Sequence, residues 1–515
     1  MNPRTLGEVL TQARGAPEDI GLVLVDRRER EEFASWREIA EQSERLAQAL
    51  MARGVGCGDR VLLALPSSRE FAVAFFGAVL AGAAPAPCPP PPPFARPDET
   101  RDRLERRRAA LDACWVLDER SVRSLLEESP SEPPRAFPEI TAEDLALVQF
   151  SSGTTSDPKA VALSHRAVTV QLDLLDQAFV DRPGRRHVAV SWLPLHHDLG
   201  LVGFFLAAAR RPAQLVLLPP ELFAARPASW LRAISRHRGT ISAAPNFAYA
   251  LAASRIREED LVGVDLSCWE VALDGAETVT ERALESFAAR FAAHGFDRAA
   301  LTPVYGLAEA TLAVTVPPLG RGPRVVERDG QRRVSVGAPL PGFEVEIGEH
   351  GRVLVSGPSL FAGYWGQPEE TARVLREGVL DTGDLGFLDD GELYLTGRAK
   401  DVLVLHGENY SPETIEESVV EVPGVVPGGV AAVARVDERA LEESLFLYVE
   451  RDRDHEALDA EIARAVEEAV ARTIGLRPAR VVVLPAGRLP RTTSGKVRRS
   501  AIEVGATQGL QSREN

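Results

Sequence analysis

The chain has 515 residues, 45% of them hydrophobic and 26% charged, with a formal net charge of −16. This is the composition of an ordinary soluble globular protein that is long enough for several domains. The excess of acidic residues argues against a general nucleic-acid or anionic-membrane surface, because both surfaces require a basic patch.

The N-terminal sequence and the cysteines indicate the compartment. The chain begins MNPRTLGEVL, without the basic and apolar segments of a signal peptide. Its four cysteines lie far apart with no CxxC pair, which is typical of buried thiols in a reducing compartment. The uncharged stretch 71–95 ends in the proline run Pro89–Pro93, so it predicts a buried helix and an extended connection rather than a membrane span. We expect a cytoplasmic protein.

Apolar strand-like runs alternate with amphipathic helical stretches over the first two-thirds of the chain. The spacing predicts a helix over 36–52, a strand at 60–65 and a helix from Ser68. Further apolar runs predict strands at 145–150, 160–163, 187–193, 213–218, 239–244, 269–273 and 299–304. Strands separated by helices predict an α/β fold, with stacked and mostly parallel sheets in a large N-terminal domain.

The sequence pattern changes after about residue 340. Short strands between glycine turns, at 351–357, 391–397 and 401–407, predict a small antiparallel subdomain. Beyond Asp401 the pattern is α+β, because helices starting at Ser411-Pro412 and at His455 alternate with three apolar strands. We therefore expect a large domain over 1–398 and a small α+β domain over 402–515.

Lysine is rare in this chain, since fifty-six of the fifty-nine basic residues are arginine. Arginine cannot replace a compact ammonium group in a tight phosphate or carboxylate site. The three lysines, Lys159, Lys400 and Lys496, are therefore candidates for positions where the chemistry requires lysine. Chance retention would explain any one of them alone, but all three fall within motifs.

A candidate phosphate loop follows the predicted strand at 145–150. Six of the seven residues from Ser151 to Asp157 are Ser, Thr or Gly, and Lys159 closes the segment. Small residues let backbone N–H groups and hydroxyls approach phosphate oxygens, while lysine neutralises charge. A polar turn between two strands is the alternative interpretation. The segment is no Walker loop, because it lacks the GxxxxGK[ST] pattern, and the chain also lacks GxGxxG.

At this loop the chain resembles the adenylate-forming superfamily, which includes acyl-CoA synthetases, peptide-synthetase adenylation domains and luciferases. Other motifs of that superfamily follow in order at Asp274–Glu277, Val304–Thr311, Asp381–Gly386, Thr396–Asp401 and Arg491–Arg499. The segments SWLPLHHDLGLVG, APNFAYAL and YGLAEATL are most similar to fatty acyl-AMP ligases. Alanine at 308, where the wider superfamily usually has threonine, matches the same group, with Thr311 as a nearby hydroxyl.

The resemblance implies a nucleotide site for ATP and Mg²⁺. The implied ligands of the ATP phosphates are Ser151, Ser152, Gly153, Thr154, Thr155, Ser156 and Lys159. The implied adenine and ribose contacts are Gly275, Ala276, Glu277, Tyr305, Gly306, Asp384 and Arg398. Glu309 would bind Mg²⁺, because a carboxylate is a suitable partner for a metal shared with phosphates. A turn aspartate and a surface glutamate are the alternatives for Asp384 and Glu309.

The resemblance also implies a mobile C-terminal domain. Lys496 would bridge the carboxylate and the α-phosphate in the transition state, and a loose basic tail is its alternative. Lys400 would lie in a hinge over 399–401 between the two domains. His197 would lie beside the reacting carboxylate, and its alternative is a structural histidine paired with Asp198.

The candidate acyl pocket contains no acidic residue. The segment 242–251 lacks the carboxylate that would pair with the ammonium group of an amino acid. The expected pocket residues are Asn246, Phe247, Leu307 and Ala308. Aromatic and aliphatic residues around them suggest an apolar tunnel, with Leu193, Phe204, Phe205 and Tyr249 as further candidates. The expected substrate is a fatty acid.

Two thiols are candidate acceptors of the acyl group. Fatty acyl-AMP ligases typically pass the acyl group to the phosphopantetheine arm of an acyl carrier protein, which here would act in trans. The family links rejection of free coenzyme A partly to an insertion after the YGLAEAT segment, and the stretch between Thr315 and Val334 is short for it. A fatty acyl-CoA ligase is therefore the alternative, followed by a non-catalytic acyl-adenylate-binding paralogue.

Overall fold

The computed structural model describes residues 3–91, 97–128, 136–150, 159–180, 187–328, 330–405, 408–420, 422–436, 443–453, 455, 457–491, 497–499 and 501–502. Its helices are α1 Leu6–Arg14, α2 Trp36–Ala52, α3 Arg69–Leu80, α4 Pro97–Leu111, α5 Glu119–Glu127, α6 His165–Leu175, α7 Asp198–Gly200, α8 Ala207–Arg210, α9 Pro220–Ala225, α10 Ala228–His237, α11 Asn246–Arg255, α12 Glu281–Phe291, α13 Pro368–Val374, α14 Pro412–Glu417 and α15 Asp459–Ile474.

Its strands begin with β1 Gly21–Val25, β2 Glu31–Ser35, β3 Arg60–Leu63, β4 Ala84–Pro87, β5 Trp115–Leu117, β6 Leu145–Phe150, β7 Ala160–Ser164, β8 Val188–Ser191, β9 Gln214–Leu217, β10 Ile241–Ala244, β11 Val271–Asp274, β12 Leu301–Pro303, β13 Tyr305–Gly306 and β14 Ala313–Val316. They continue with β15 Val325–Arg328, β16 Gln331–Val334, β17 Ala338–Pro339, β18 Glu344–Ile347, β19 Arg352–Ser356, β20 Gly363–Tyr364, β21 Leu375–Arg376, β22 Val379–Asp389, β23 Glu392–Arg398, β24 Leu403–Leu405, β25 Glu408–Tyr410, β26 Val425–Val436, β27 Glu443–Arg451 and β28 Arg480–Pro485.

A seven-stranded sheet, in the order β12-β11-β10-β8-β9-β1-β2, organises the N-terminal part. Its strands are parallel except for the β1–β2 pair, which is antiparallel. A second parallel sheet has the order β4-β3-β5. The α/β fold class predicted from the alternating strands and helices is therefore confirmed. The strands β6, β7 and β20 form an additional antiparallel sheet beside these mostly parallel ones.

Local sequence explains the first long helices. Ser35 and Glu38 form a capping box at the start of α2, so two backbone N–H groups that lack helical partners are satisfied. Helix α3 is apolar nearly all round and is buried, since Phe71, Phe75 and Phe76 pack with Phe205. This is the buried helix that the uncharged stretch predicts. Among the described helices, none combines the length and apolar character that a bilayer span requires.

The C-terminal part has its own core. Strands β26, β27 and β28 form a sheet, and α15 packs on it through Ile462 and Val466. The predicted α+β pattern is present, and α14 starts at Ser411-Pro412 as predicted, with the Ser411 hydroxyl donating to the Glu413 carboxylate at 2.6 Å. One correction concerns the second helix, which begins at Asp459 rather than His455.

Candidate active site

A cavity of about 860 Å³ lies at the carboxyl ends of three parallel strands. Strands β10, β11 and β12 end in register, and the residues that follow them, Pro245, Gly275 and Val304, all line the cavity. In open α/β sheets, ligands bind in the crevice beyond the carboxyl ends of the strands. The topology therefore brings sequence motifs that are far apart in the chain to one place.

One part of the cavity surface, here called the polar wall, is built from titratable side chains. These are Lys159, Tyr305, Glu309, Tyr364, Arg398 and Lys400. The Tyr305 hydroxyl donates to Asp384 Oδ2 at 2.7 Å, and Arg398 Nε donates to Asp384 Oδ1 at 2.9 Å. Asp384 is 6% exposed and lies just behind this wall. Burial raises the pKa of Tyr305, and the Asp384 carboxylate raises the pKa of Arg398, so both groups keep their protons.

Lys159 and Glu309 both contact the side chain of Tyr364, one at its ring and the other at its hydroxyl. The Lys159 ammonium lies 4.5 Å from the ring centroid of Tyr364, and the Tyr364 hydroxyl donates to Glu309 Oε1 at 2.8 Å. Lys159 also forms an ion pair with Glu370 of α13 at 3.2 Å. An ammonium group and a carboxylate thus contact the same side chain, and such a pair is compatible with a metal–phosphate complex.

We expect the substitution Glu370→Gln to lower the KM for ATP by a factor of about 2 to 5, since a half-exposed ion pair of this kind is worth roughly 0.2–1 kcal/mol. If Lys159 binds phosphate, as the resemblance implies, the carboxylate of Glu370 would compete for it and the amide would not. Steady-state kinetics at varied ATP concentration measures the effect. Glu369→Gln, at the exposed neighbouring position, is the control and should leave KM unchanged. A higher KM in Glu370→Gln would show that Glu370 assists nucleotide binding.

The predicted adenine segment has a constrained backbone. A Cβ on Gly306 would lie 1.8 Å from the carbonyl oxygen of Leu312, so only glycine fits there. Ala276 adopts a positive φ of 70°, a conformation that is uncommon for residues other than glycine and is frequent at functional sites. Gly275, Ala276, Tyr305 and Gly306 line the cavity. The Glu277 side chain is not among the lining residues, and its Oε1 accepts the Phe247 N–H at 2.5 Å.

His197 lines the cavity next to a buried polar loop. Gln149, which is 1% exposed, donates from Nε2 to the carbonyl oxygen of His196 at 2.6 Å and so fixes the loop to β6. Burial lowers the pKa of His196 well below its usual range, which keeps that ring neutral. The hydroxyl of Thr311 is buried and donates to the carbonyl oxygen of Ser359 at 2.7 Å.

A further group of lining residues is aliphatic or aromatic and is here called the apolar wall. It consists of Leu175, Phe179, Trp192, Phe223, Phe247 and Leu251. The rings of Trp192 and Phe223 are stacked at 4.0 Å between centroids. Phe179 and Gly203 come from two π-helical turns, a local irregularity that is frequent at functional sites.

Four of the expected tunnel residues take other positions. Phe205 packs in the core against Phe71 and Phe75, while Phe204 and Tyr249 are buried outside the cavity surface. Asn246 lies outside the surface as well, because its side chain pairs with Thr280 at 3.0 and 3.2 Å. Leu193, Phe247, Leu307 and Ala308 do line the cavity.

The C-terminal part closes one side of the cavity. Val426, Pro427, Gly487 and Arg491 line it together with Lys400. Arg491 is held by Glu450, which is 2% exposed, at 3.2 Å and by the carbonyl oxygen of Gly428 at 2.8 Å. Burial and the neighbouring Arg398 cation lower the pKa of Lys400.

A family model described as AMP-binding enzyme matches residues 10–365. The chain belongs to this family. It is 34% identical to the medium-chain-fatty-acid–acyl-carrier-protein ligase JamA of Moorena producens, over 92% of this chain and 90% of that protein. It is 31% identical to the long-chain-fatty-acid–AMP ligase FadD26 of Mycobacterium marinum, over 91% of each chain.

A solved structure from studies of fatty acyl-adenylate ligases of E. coli and L. pneumophila superposes with a TM-score of 0.88, at 30% identity and 98% coverage of both chains. The AMP-binding enzyme family explains why the motifs occur in this order. The prediction of an adenylate-forming ligase related to the fatty acyl-AMP ligases is therefore confirmed.

Two motifs of this AMP-binding enzyme lie outside the described residues. They are the candidate phosphate loop, with Ser151, Ser152, Gly153, Thr154, Thr155 and Ser156, and the catalytic candidate Lys496. Conversely, Gln149, Tyr364 and Glu370 were not expected at the site, and Arg491 was named only as the first residue of a motif. Gln149 adjoins the candidate phosphate loop, whereas Tyr364 and Glu370 reach the site through the pairing of β20 with β7 and the position of α13.

Proposed function

We propose that the protein activates a fatty acid as its acyl-adenylate, with release of pyrophosphate, and transfers the acyl group to the phosphopantetheine thiol of an acyl carrier protein in trans. One observation supports this most directly: a single cavity combines the polar wall with the apolar wall. A nucleotide and an acyl chain could therefore meet in it. The names of JamA and FadD26, as ligases of fatty acids, agree with this proposal.

In the first step a carboxylate oxygen attacks the α-phosphorus of ATP, and the bond to the β-phosphate breaks. Both reactants are anions, so catalysis consists mainly of positioning and charge neutralisation. Asp384 would accept the ribose hydroxyls, with Arg398 beside it, and Tyr305 would offer a flat face to adenine together with Gly275 and Ala276. Lys159 would neutralise the phosphates.

Glu309 is the proposed ligand of Mg²⁺. A hard cation prefers carboxylate and phosphate oxygens, and Glu309 lies next to Lys159 on the polar wall. The metal would supply charge neutralisation for the phosphates. All other contacts with the substrates in our proposal are made by residues of the protein.

The proposed acid is a fatty acid because six lining residues of the cavity, those of the apolar wall, are aliphatic or aromatic. The apolar wall would bury an alkyl chain, which gains about 0.8 kcal/mol per buried methylene. His197 would lie beside the reacting carboxylate. Phe247, Leu307 and Ala308 would border the same chain.

We further propose that the C-terminal residues 402–515 form a domain that turns about 399–401, with Lys400 in the hinge. Arg491 lines the cavity and forms a backbone bridge with Val497. Lys496 immediately precedes Val497 in the sequence, and this supports a role for Lys496 at the cavity. Lys496 would then neutralise charge between the carboxylate and the α-phosphate.

Free coenzyme A is the second candidate acceptor, and one observation favours it. Between Thr315 and Val334 the described residues form the end of β14 and the short hairpin β15–β16, which is little chain for the insertion of the family. Strand β16 contacts α14 through Arg333, whose Nη2 donates to Thr414 Oγ1 at 3.2 Å. The hairpin thus meets the C-terminal part through a polar contact.

Mass spectrometry of the products tests the proposal and its alternative. The protein is incubated with ATP, Mg²⁺ and a panel of fatty acids, alone, with coenzyme A, or with a holo carrier protein. We expect acyl-AMP in every case and transfer to the carrier only. Efficient formation of acyl-CoA would show that the acyl acceptor is coenzyme A rather than a carrier protein. Absence of an adenylate with every acid would refute the catalytic proposal and favour a binding paralogue.

A further inference from the structure

Tyr364 occupies a position between two groups that act on the nucleotide in the proposed mechanism. It is 7% exposed and lines the cavity. Its ring faces the Lys159 ammonium at 4.5 Å, and its hydroxyl donates to Glu309 Oε1 at 2.8 Å. We propose that Tyr364 is a positioning residue that sets the place of both the phosphate-binding lysine and the metal-binding carboxylate.

The backbone of Tyr364 is fixed to the strand that starts directly after Lys159. Strand β20 pairs with β7, so that Tyr364 lies opposite Val161. The Tyr364 N–H donates to Thr371 Oγ1 at 2.9 Å, which ties the same residue to α13. The distance between the ring and Lys159 is therefore set by rigid secondary structure.

The carboxylate of Glu309 is held from the same segment. The Phe361 N–H donates to the Glu309 carbonyl oxygen at 2.8 Å, while the Phe361 ring packs edge-on against Tyr364 at 5.0 Å between centroids. Backbone and side chain of Glu309 are thus both bound by residues 361–364. One hydrogen bond to a ligating carboxylate orients it and tunes its basicity, and loss of such a partner typically weakens metal binding by about 10–100-fold.

The ring and the hydroxyl of Tyr364 have separable effects. The ring attracts the ammonium of Lys159 through a cation–π interaction, which does not require the hydroxyl. The hydroxyl donates to Glu309 and so orients its carboxylate. Removing the hydroxyl should therefore change the metal requirement alone, and removing the ring should weaken ATP binding even without metal.

The test uses two variants of the full-length protein, with titration calorimetry and an α,β-methylene analogue of ATP that cannot be turned over. For Tyr364→Phe we expect the Mg²⁺ concentration that gives half-maximal tightening of analogue binding to rise about 10-fold or more, with metal-free binding unchanged. For Tyr364→Leu we expect metal-free binding to weaken as well, by about 3-fold or more, because the cation–π contact is lost.

Tyr394→Phe is the matched control. Tyr394 is wholly buried, stacks on Phe387 at 5.1 Å and lies outside the cavity surface, so loss of its hydroxyl should leave both binding constants unchanged. Thermal unfolding of each variant shows whether it is folded. If Tyr364→Phe requires no more Mg²⁺ than the wild type and Tyr394→Phe do, the positioning role is wrong.

This inference rests on the proposed roles of Lys159 and Glu309, and the two can fail separately. A wild-type protein that forms no acyl-adenylate from any acid would refute the proposed function, whatever the binding constants are. A wild-type protein that forms acyl-adenylate, together with an unaltered Tyr364→Phe variant, would refute only the role of Tyr364.

Discussion

The substitution Lys496→Ala is expected to abolish acyl-adenylate formation while ATP still binds. The ammonium group is proposed to act where negative charge accumulates between the carboxylate and the α-phosphate. Removal of one such electrostatic partner typically costs on the order of 10²–10³ in kcat. The ground-state contacts of ATP lie elsewhere, on the polar wall. Pyrophosphate release measures the first effect, and calorimetric titration with ATP measures the second.

Two controls make this result specific to Lys496. Arg464→Ala removes a cation from the same C-terminal part, at a side chain that is 81% exposed, and should leave both measurements unchanged. Lys496→Arg keeps the charge but replaces the compact ammonium by a planar fork, so it should restore little activity. Near-normal pyrophosphate release by Lys496→Ala would contradict the assignment.

The periodicity of the sequence predicts most of the large sheet because its strands are buried on both faces. Runs such as 213–218 and 269–273 are mostly apolar, and the helices that separate the strands leave parallel pairing as the simple solution. The predicted helix over 36–52 has the same bounds as α2, since a capping box marks its start. These are local signals, and they require no knowledge of the tertiary contacts.

The antiparallel pairing of β7 with β20 follows from contacts that the sequence does not display. Gly363 and Tyr364 form a strand of two residues, which is too short to show any periodicity. Its partner lies about two hundred residues earlier in the chain, at Val161 and Ala162. Tyr364 consequently escapes a motif search, although it contacts two residues that the motifs do identify.

The same limit applies to the acyl pocket. Aromatic residues near a motif face the pocket or the core, and composition does not distinguish the two. Phe247 lines the cavity, whereas Phe205 packs against α3 and Tyr249 donates a hydrogen bond to the carbonyl oxygen of Leu273 at 2.8 Å. The direction of each ring depends on which helix covers it, and that is a property of the assembled fold.

For Asp384→Asn we expect the KM for ATP to rise by on the order of 30-fold or more, because truncating one partner of a buried charge pair costs roughly 2–5 kcal/mol. The amide side chain would keep the shape of the carboxylate but lose the charge that Arg398 and the ribose hydroxyls require. Arg398 is 45% exposed, and solvent therefore screens part of the loss and favours the lower end of that range. Initial rates at varied ATP, with the acid saturating, measure the change.

A second buried carboxylate separates nucleotide binding from general destabilisation. Glu392 is 6% exposed, accepts from Arg321 and from the Ser335 hydroxyl, and lies outside the cavity surface. Glu392→Gln should therefore lower the melting temperature as Asp384→Asn does, while its KM for ATP stays at the wild-type value. If both variants raise KM alike, the effect of Asp384 is structural, and its role as ribose ligand fails. Both substitutions neutralise a buried carboxylate that pairs with an arginine. If only Asp384→Asn raises the KM for ATP, the Asp384 carboxylate therefore acts on the nucleotide directly.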